Sequence, residues 1–255
     1  MSNKGKYTIE VLDVTLDVIE HLAASGQEPQ RHAEIARQLG IHRNRAFRII
    51  KTLEERGYIE ASPETQGWQL GLKFLQIGEG VRERLDLRHV AEPILIELAK
   101  NTGDVAQILV LHGHSAVCID SYRGNHRLQV AAPIGQPLPL HIGASPKILL
   151  ACLPEQERER ILQSIELTRF TPNTITDRDE LRRCLDEIRA QGYAVDEEDF
   201  EVGVYAVGAP VSDRCGRVVA GITVTTPESR YSLQRRQELI EMVTDAASRV
   251  SARLG

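Results

Sequence analysis

The chain of 255 residues carries 31 lysines and arginines against 36 aspartates and glutamates, a formal net charge of -5, and is 42% hydrophobic and 26% charged. That length suits two modest domains with their own cores better than one, and the composition is that of an ordinary globular protein. The negative balance argues against a protein that coats nucleic acid indiscriminately; no stretch reaches the length of a membrane span, and the start MSNKGKYTIE lacks a signal-like apolar region, so no membrane partner and a cytoplasmic location are expected.

From Ile9 to Ala24, the residues Ile9, Leu12, Leu16, Ile19 and Ala23 recur at helical spacing and predict an amphipathic helix with that stripe inward. A short helix follows over His32 to Leu39, then a break at Gly40, then a longer helix from about Arg43 to Arg56. In the longer one Ile41, Ala46, Ile49, Ile50 and Leu53 mark a buried face, while Arg43, Asn44, Arg45, Arg48 and Lys51 stand opposite, with no acid before Glu54. Two helices joined by a tight glycine turn, the second basic on its open face, describe a helix-turn-helix whose second helix enters a DNA major groove. A charge run can also be a plain solvated face. The next segment decides between them: Tyr58-Ile59-Glu60-Ala61, a turn-rich SPETQG, then Trp68-Gln69-Leu70 reads as a β-hairpin wing closing at Gly71. Double-stranded operator DNA is therefore the expected partner, with the local charge of the helix outweighing the global sign.

Leu72 to Leu87 is helical in period but holds Gly78 and Gly80, consistent with a close packing contact, with a soft point in a connecting helix, or with both. Beyond it, His89 to Asn101 reads as a helix, Val105 to His112 and Ala116 to Tyr122 as strands, and Leu128 to Pro133 as a third strand before a proline- and glycine-rich loop. Helices are expected at Lys147 to Cys152, Pro154 to Gln163 and Asp177 to Gln191, the last with Thr176 as its N-cap. Strands resume at Tyr193 to Asp196, Val204 to Val211 and Val218 to Thr225, and a helix from Ser232 to Leu254 ends the chain. Helices flanking a largely antiparallel sheet make an α+β sensor-type domain.

The segments EIARQLGIHRNRAFRIIKTLEERGYI, WQLGLKFLQIGEG, LPLHIGASPKILLA, RAQGYAVDEEDFEVGVYAVGAPVSD and GRVVAGITVTTPESR, in that order, resemble the IclR family of bacterial transcriptional regulators over nearly the whole chain. The resemblance implies a winged helix-turn-helix domain (residues 1–71), a linker helix (72–88) and a GAF/PAS-like effector-binding domain (89–255). It also implies assembly as a homodimer or dimer of dimers that represses or activates a catabolic operon; the helix start beside Ala144 and Ser145 would suit a carboxylate, so a small organic acid is the expected effector. Where the family's recognition helix usually opens with a small hydroxyl pair, this chain has Asn44 and Arg45; Arg48 matches a common family arginine. Carried over position by position, the effector site comprises the backbone of Ala144 and Ser145, then Asp196, Val204, Ala206, Thr223 and Thr225, with Val130 and Leu138 as apolar walls. Pro146-Lys147 stands where the family usually has glycine-lysine, and some members have a thiol in place of Ala206. Thr223 and Thr225 alternate along a strand and so face one side, as a pair of hydroxyl donors to one ligand would; ordinary strand threonines would look the same.

No cofactor is expected. The alternatives are a metal-responsive regulator using His112, His114 and Cys118, a redox-responsive one using Cys152 or Cys215, and an enzyme built on the C-terminal domain. Structural cysteines are the ordinary reading of four scattered Cys, Cys184 included. The chain has no GxSxG, P-loop or GxGxxG motif. The acidic run Asp196-Glu197-Glu198-Asp199 reads as a solvated turn apart from Asp196.

Overall fold

The computed structural model describes residues 9–26, 28–63, 65, 67–82 and 86–254. Contacts divide the chain into two compact units, residues 1–84 and 85–255. The first contains α1 (Glu10–Ala24), α2 (His32–Gln38), α3 (Arg43–Glu55), β1 (Ile59–Ala61), β2 (Trp68–Leu70) and α4 (Lys73–Arg82). Its core gathers Val18 and Leu22 of α1, Ile35 of α2, Ile49, Ile50 and Leu53 of α3, and Ile59 of β1. The turn between α2 and α3 rests on Gly40 at φ 64, a left-handed conformation that a side chain would strain. The wing is an antiparallel hairpin pairing Ile59 with Leu70 and Ala61 with Trp68, and Gln30 bridges to Trp68 on its far side.

The face of α1 corrects the sequence reading. Val14, Val18, Ile19 and Leu22 turn inward, whereas Ile9, Leu12 and Leu16 are more than half exposed and Ala23 is exposed. The helix carries two apolar stripes about 100° apart, and periodicity alone does not say which one meets the core. The continuous helix expected over 72–87 passes through residues 83–85, which lie outside the described residues, as do 1–8 and, in the wing turn, 64 and 66.

The second unit contains α5 (Asp86–Thr102), β3 (Val105–His112), β4 (Ser115–Tyr122), β5 (Pro137–Pro139), α6 (Ala144–Ala151), α7 (Glu155–Ser164), α8 (Arg178–Gln191), β6 (Ala194–Glu197), β7 (Val204–Ser212), β8 (Val218–Pro227) and α9 (Leu233–Leu254). The strands form one antiparallel sheet in the order β5-β4-β3-β8-β7-β6. Alternation along each strand sorts the side chains into two cores. Ile108, Val207, Ala209, Ile222 and Val224 pack under α5 and α9, while Leu109, Cys118, Ala194 and Ala206 pack under α6, α7 and α8. The expected strand at Leu128 to Pro133 is absent. That segment bonds instead to a side chain, Gln107, whose amide donates to Ala132 O at 2.7 Å and accepts from Ala132 N at 3.0 Å. The third strand forms later, at Pro137–Pro139, on the edge beside β4, where proline's missing N–H is tolerated. The N-cap of α8 is Asp177, which accepts from the N–H groups of Asp179 and Glu180; Thr176 is held by Arg169 instead.

Helix α6 is buried along its whole length. It lies so close to the sheet that β7 and β8 present glycines to it: a Cβ on Gly221 would stand 2.9 Å from Ser145 Oγ, and one on Gly208 would stand 3.0 Å from Ile148 Cδ1 and 3.2 Å from Ala144 Cβ. Gly221→Ala is therefore expected to lift α6 and destabilise the unit by about 1–3 kcal/mol, the usual magnitude of overpacking. Urea unfolding checks it, and a midpoint equal to that of the parent would mean that α6 has room to spare.

Candidate functional site

In the first unit, α3 presents Arg43, Asn44, Phe47 and Arg48 to solvent, with Arg45 and Lys51 half-buried at the margins. His42 caps the helix by accepting the Asn44 N–H at 3.3 Å. Three of the five polar residues read from sequence thus stand open: Arg43, Asn44 and Arg48. The other two have protein partners. Arg45 pairs with Glu10 of α1 at 2.8 Å, and Lys51 pairs with Glu54 at 2.6 Å while its Nζ lies 6.0 Å from the centre of the Trp68 ring. Both pairs are partly exposed and so weakly held, leaving either cation able to exchange its carboxylate for a phosphate.

In the second unit, strand register brings the distant polar positions into two rows beneath α6. Asp196, Ala206, Thr225 and Val105 are cross-strand neighbours, and Gly208, Thr223 and Gln107 form the next row. Above them a cavity of about 210 Å³ contains all nine residues inferred for the effector site: Val130, Leu138, Ala144, Ser145, Asp196, Val204, Ala206, Thr223 and Thr225. That is the volume of roughly seven liquid waters, below the range usual for drug-sized ligands. Leu109, Phe200, Pro146 and Glu201 add to the walls, and among the described residues its lining holds no Lys, Arg or His.

The polar equipment differs in detail from the expectation. The Thr223 hydroxyl donates to Val207 O at 3.0 Å, so towards a ligand it serves as an acceptor; among the described residues Thr225 Oγ1 has no partner and keeps its donor. Among the described residues the buried Ser145 Oγ has no hydrogen-bond partner. At the start of α6, Gly143 sits at φ 70, and Pro146 in the first turn has no N–H to satisfy. The Ala144 and Ser145 amides precede the first intrahelical donors, so they and the positive end of the helix dipole are available to an anion.

The acidic run is anchored rather than solvated at two of its four positions. Asp196 and Asp199 are 4% and 5% exposed. Asp199 receives the Gly143 N–H at 2.7 Å and the Lys147 ammonium, and its own N–H donates to Asp196 Oδ1 at 2.8 Å. Burial, reinforced by the adjacent Asp199 charge and only partly opposed by Lys147, pushes the Asp196 carboxyl well above the usual carboxylate range. The Lys147 ammonium offsets the Asp199 carboxylate, and the upward shift of Asp196 favours its neutral form, so these three groups offer an anionic ligand less repulsion than two free carboxylates would; Glu201 is the other acid in the lining. Asp199 and Phe200 were missed in sequence. The only signal for Asp199 was its spacing of three from Asp196, which a tight turn folds back on itself.

The residues considered for other chemistries lie apart from this cavity. His112 and His114 are exposed, and no group of three or more His, Cys, Asp or Glu placed to hold a metal occurs among the described residues. Burial pushes the Cys118 thiol up to about 12 and raises Cys152 and Cys184, which disfavours the reactive thiolate in all three.

The Asp196 proton gives a pH signature. A carboxyl raised in the native state contributes stability that is present below its unfolded value and is lost as pH rises towards and through the native one. Asp196→Asn keeps the shape and cannot ionise. Its stability relative to the parent is expected to increase from about pH 4 upward, levelling off once the native carboxyl ionises. Urea titrations at a series of pH values measure the difference, and a constant offset would show Asp196 ionised throughout.

Residues 11–63 match the IclR helix-turn-helix domain, and residues 80–252 match the domain described as bacterial transcriptional regulator IclR C-terminal. The chain is 32% identical over 241 residues to the HTH-type transcriptional regulator KdgR of Escherichia coli K12, covering 94% of this chain and 92% of that one. It is 33% identical over 222 residues to XynR, an HTH-type transcriptional regulator of the same organism, covering 87% and 88%. The crystal structure of Thermotoga maritima IclR matches with a TM-score of 0.80 at 28% identity, over 97% of this chain and 100% of that one. With both halves matched in order, the chain belongs to the IclR family of bacterial transcriptional regulators: a helix-turn-helix DNA-binding region followed by a C-terminal α+β domain.

Proposed function

We propose that the chain is a cytoplasmic regulator, not an enzyme, whose affinity for operator DNA responds to a small organic acid held in the 210 Å³ cavity. In this reading residues 1–71 bind DNA, 72–88 link, and 89–255 bind the effector, in a homodimer or dimer of dimers that reads symmetric half-sites. Asn44 and Arg48 contact base edges, with Arg43, Arg45 and Lys51 contributing to bases or phosphates. The observation that carries the effector reading is a cavity, lined by no cation among the described residues, whose lining includes Ala144 and Ser145 at the head of α6, where the first-turn amides have no intrahelical acceptor. Backbone amides at a helix N-terminus favour a carboxylate. The same lining offers Asp196, whose raised carboxyl can donate when protonated, the Thr225 hydroxyl as a donor and Thr223 as an acceptor, which suits a hydroxyl, keto or other neutral polar group. The apolar part of the lining, Val130, Leu138, Val204, Ala206 and Phe200, favours an apolar or planar body. Hydroxy, keto and aromatic monocarboxylates fit this arrangement better than dicarboxylates, whose second charge would meet no cation.

Two measurements test the reading. A thermal-shift screen of full-length protein against small mono- and dicarboxylic acids is expected to single out monocarboxylates, since a ligand that binds only the folded state raises stability by mass action. For the acid so found, Thr225→Val is expected to weaken binding about tenfold with DNA affinity in its absence unchanged; equal affinity would move the site elsewhere. On the DNA side, Arg48→Ala and Asn44→Ala are each expected to lose roughly five- to a hundredfold in affinity for a selected duplex at matched salt. Binding like the parent in both would remove α3 as the reading helix.

A further inference from the structure

The polar face of α3 contains one residue that polar recognition does not use. Phe47 is 45% exposed, the only large apolar side chain of the helix outside the core that Ile49, Ile50 and Leu53 form. At 100° per residue it falls within about 60° of Arg43, Asn44 and Lys51, at the rim of that polar face, with the buried Ile50 about 60° away on the other side. Its ring is also held. His32, at the start of α2, meets Phe47 edge-on at 6.0 Å between centroids and 73°, and the same imidazole meets Trp68 of the wing at 6.0 Å and 81°. The row Phe47–His32–Trp68 thus sets the ring against α2, whose imidazole in turn meets the wing, and leaves it nearly half exposed at the margin of the face that carries Arg43, Asn44 and Lys51.

We propose that Phe47 contacts the 5-methyl group of a thymine in the major groove and so supplies part of the sequence preference of this protein. The inference rests on α3 being the reading helix and goes beyond it by assigning a base class to an apolar residue. The thymine methyl is the apolar group that a base pair displays in the major groove, and phenylalanine is among the side chains that meet it. A ring fixed by its neighbours gives up little rotational freedom on contact, and one presented among cations is carried to the base edges by the phosphate contacts on either side.

The test uses full-length protein and a duplex selected by it from a random-sequence pool, resynthesised with deoxyuridine in place of each thymidine in turn. Deoxyuridine pairs identically and lacks only the methyl. The parent is expected to lose about fourfold in affinity for each contacted methyl, the effect of leaving one such group in water. Phe47→Ala is expected to bind the thymidine duplex more weakly than the parent and to lose nothing further at the same deoxyuridine position. Indifference of the parent to every replacement would overturn the proposal, as would a Phe47→Ala variant that keeps the parent's sensitivity. Asn44→Ala and Arg48→Ala on the same duplexes separate the two levels of the argument. If both lose affinity while deoxyuridine is silent, Phe47 alone is misassigned; if both bind like the parent, the reading helix itself is wrong.

Discussion

The second unit depends on the buried ion pair between Lys147 and Asp199, 52 residues apart in sequence. An ion pair taken out of water gains stability only if its remaining hydrogen-bonding capacity is met. Here the Asp199 carboxylate also takes the Gly143 N–H, its carbonyl takes the Thr174 hydroxyl, and its N–H is taken by Asp196. The pair therefore joins three things: the residue that caps α6, the turn around Thr174, and the loop that carries Phe200. Its value lies in position more than in net energy. It fixes where the first turn of α6 stands relative to β6, and so where the amides of Ala144 and Ser145 point.

The same loop shows how backbone strain is held at the cavity. Glu198 adopts φ 63, the only positive φ among the described non-glycine residues. The surroundings over-determine it: the Thr171 hydroxyl donates to Glu198 O at 2.6 Å, and the Glu198 side chain takes the Gly203 N–H at 2.7 Å. With both ends of the turn tied, Phe200 lines the cavity from a fixed anchor, and its ring packs edge-on against Phe170 at 5.3 Å between centroids.

What was legible in sequence follows from periodicity and punctuation. The helix-turn-helix, the wing and most sheet strands were readable because alternation with period 2 or 3.6 was bounded by glycine and proline at each end. The strand register then assembled Asp196, Ala206, Thr223 and Thr225 on one face, as their spacing and the family resemblance implied. The failures have distinct physical causes. In α1 two apolar stripes competed, and only the partner surface chose Val18 and Leu22 over Leu12 and Leu16. At Leu128 to Pro133 an extended segment satisfied its backbone on the Gln107 side chain, a bond that no strand pattern encodes. Asp199 looked solvated because its lysine partner is remote in sequence, and the donor of Thr223 looked free because its acceptor is a backbone carbonyl on the neighbouring strand.

In the proposed function the two surfaces would meet negative charge by opposite physical means. On α3 the positive groups are side chains in water, where attraction to phosphate works through released counterions and weakens steeply as salt rises. The net charge of -5 over the chain works against indiscriminate retention on DNA, so selectivity falls to the base-edge groups rather than to bulk attraction. Beneath α6 the positive end is a helix dipole with fixed amides in a cavity where mobile ions have little access, and Lys147 is already paired with Asp199. An anion held there would feel little screening, so its binding would vary far less with ionic strength than binding of the duplex. A regulator built this way can let salt tune how tightly it holds DNA while its response to ligand stays tied to ligand concentration. Ligand changes DNA affinity only to the extent that it favours one conformation of the protein over another. Were an anion held beneath α6, the residues placed to transmit that preference would be the α6 amides, Asp196 and the loop that Asp199 anchors.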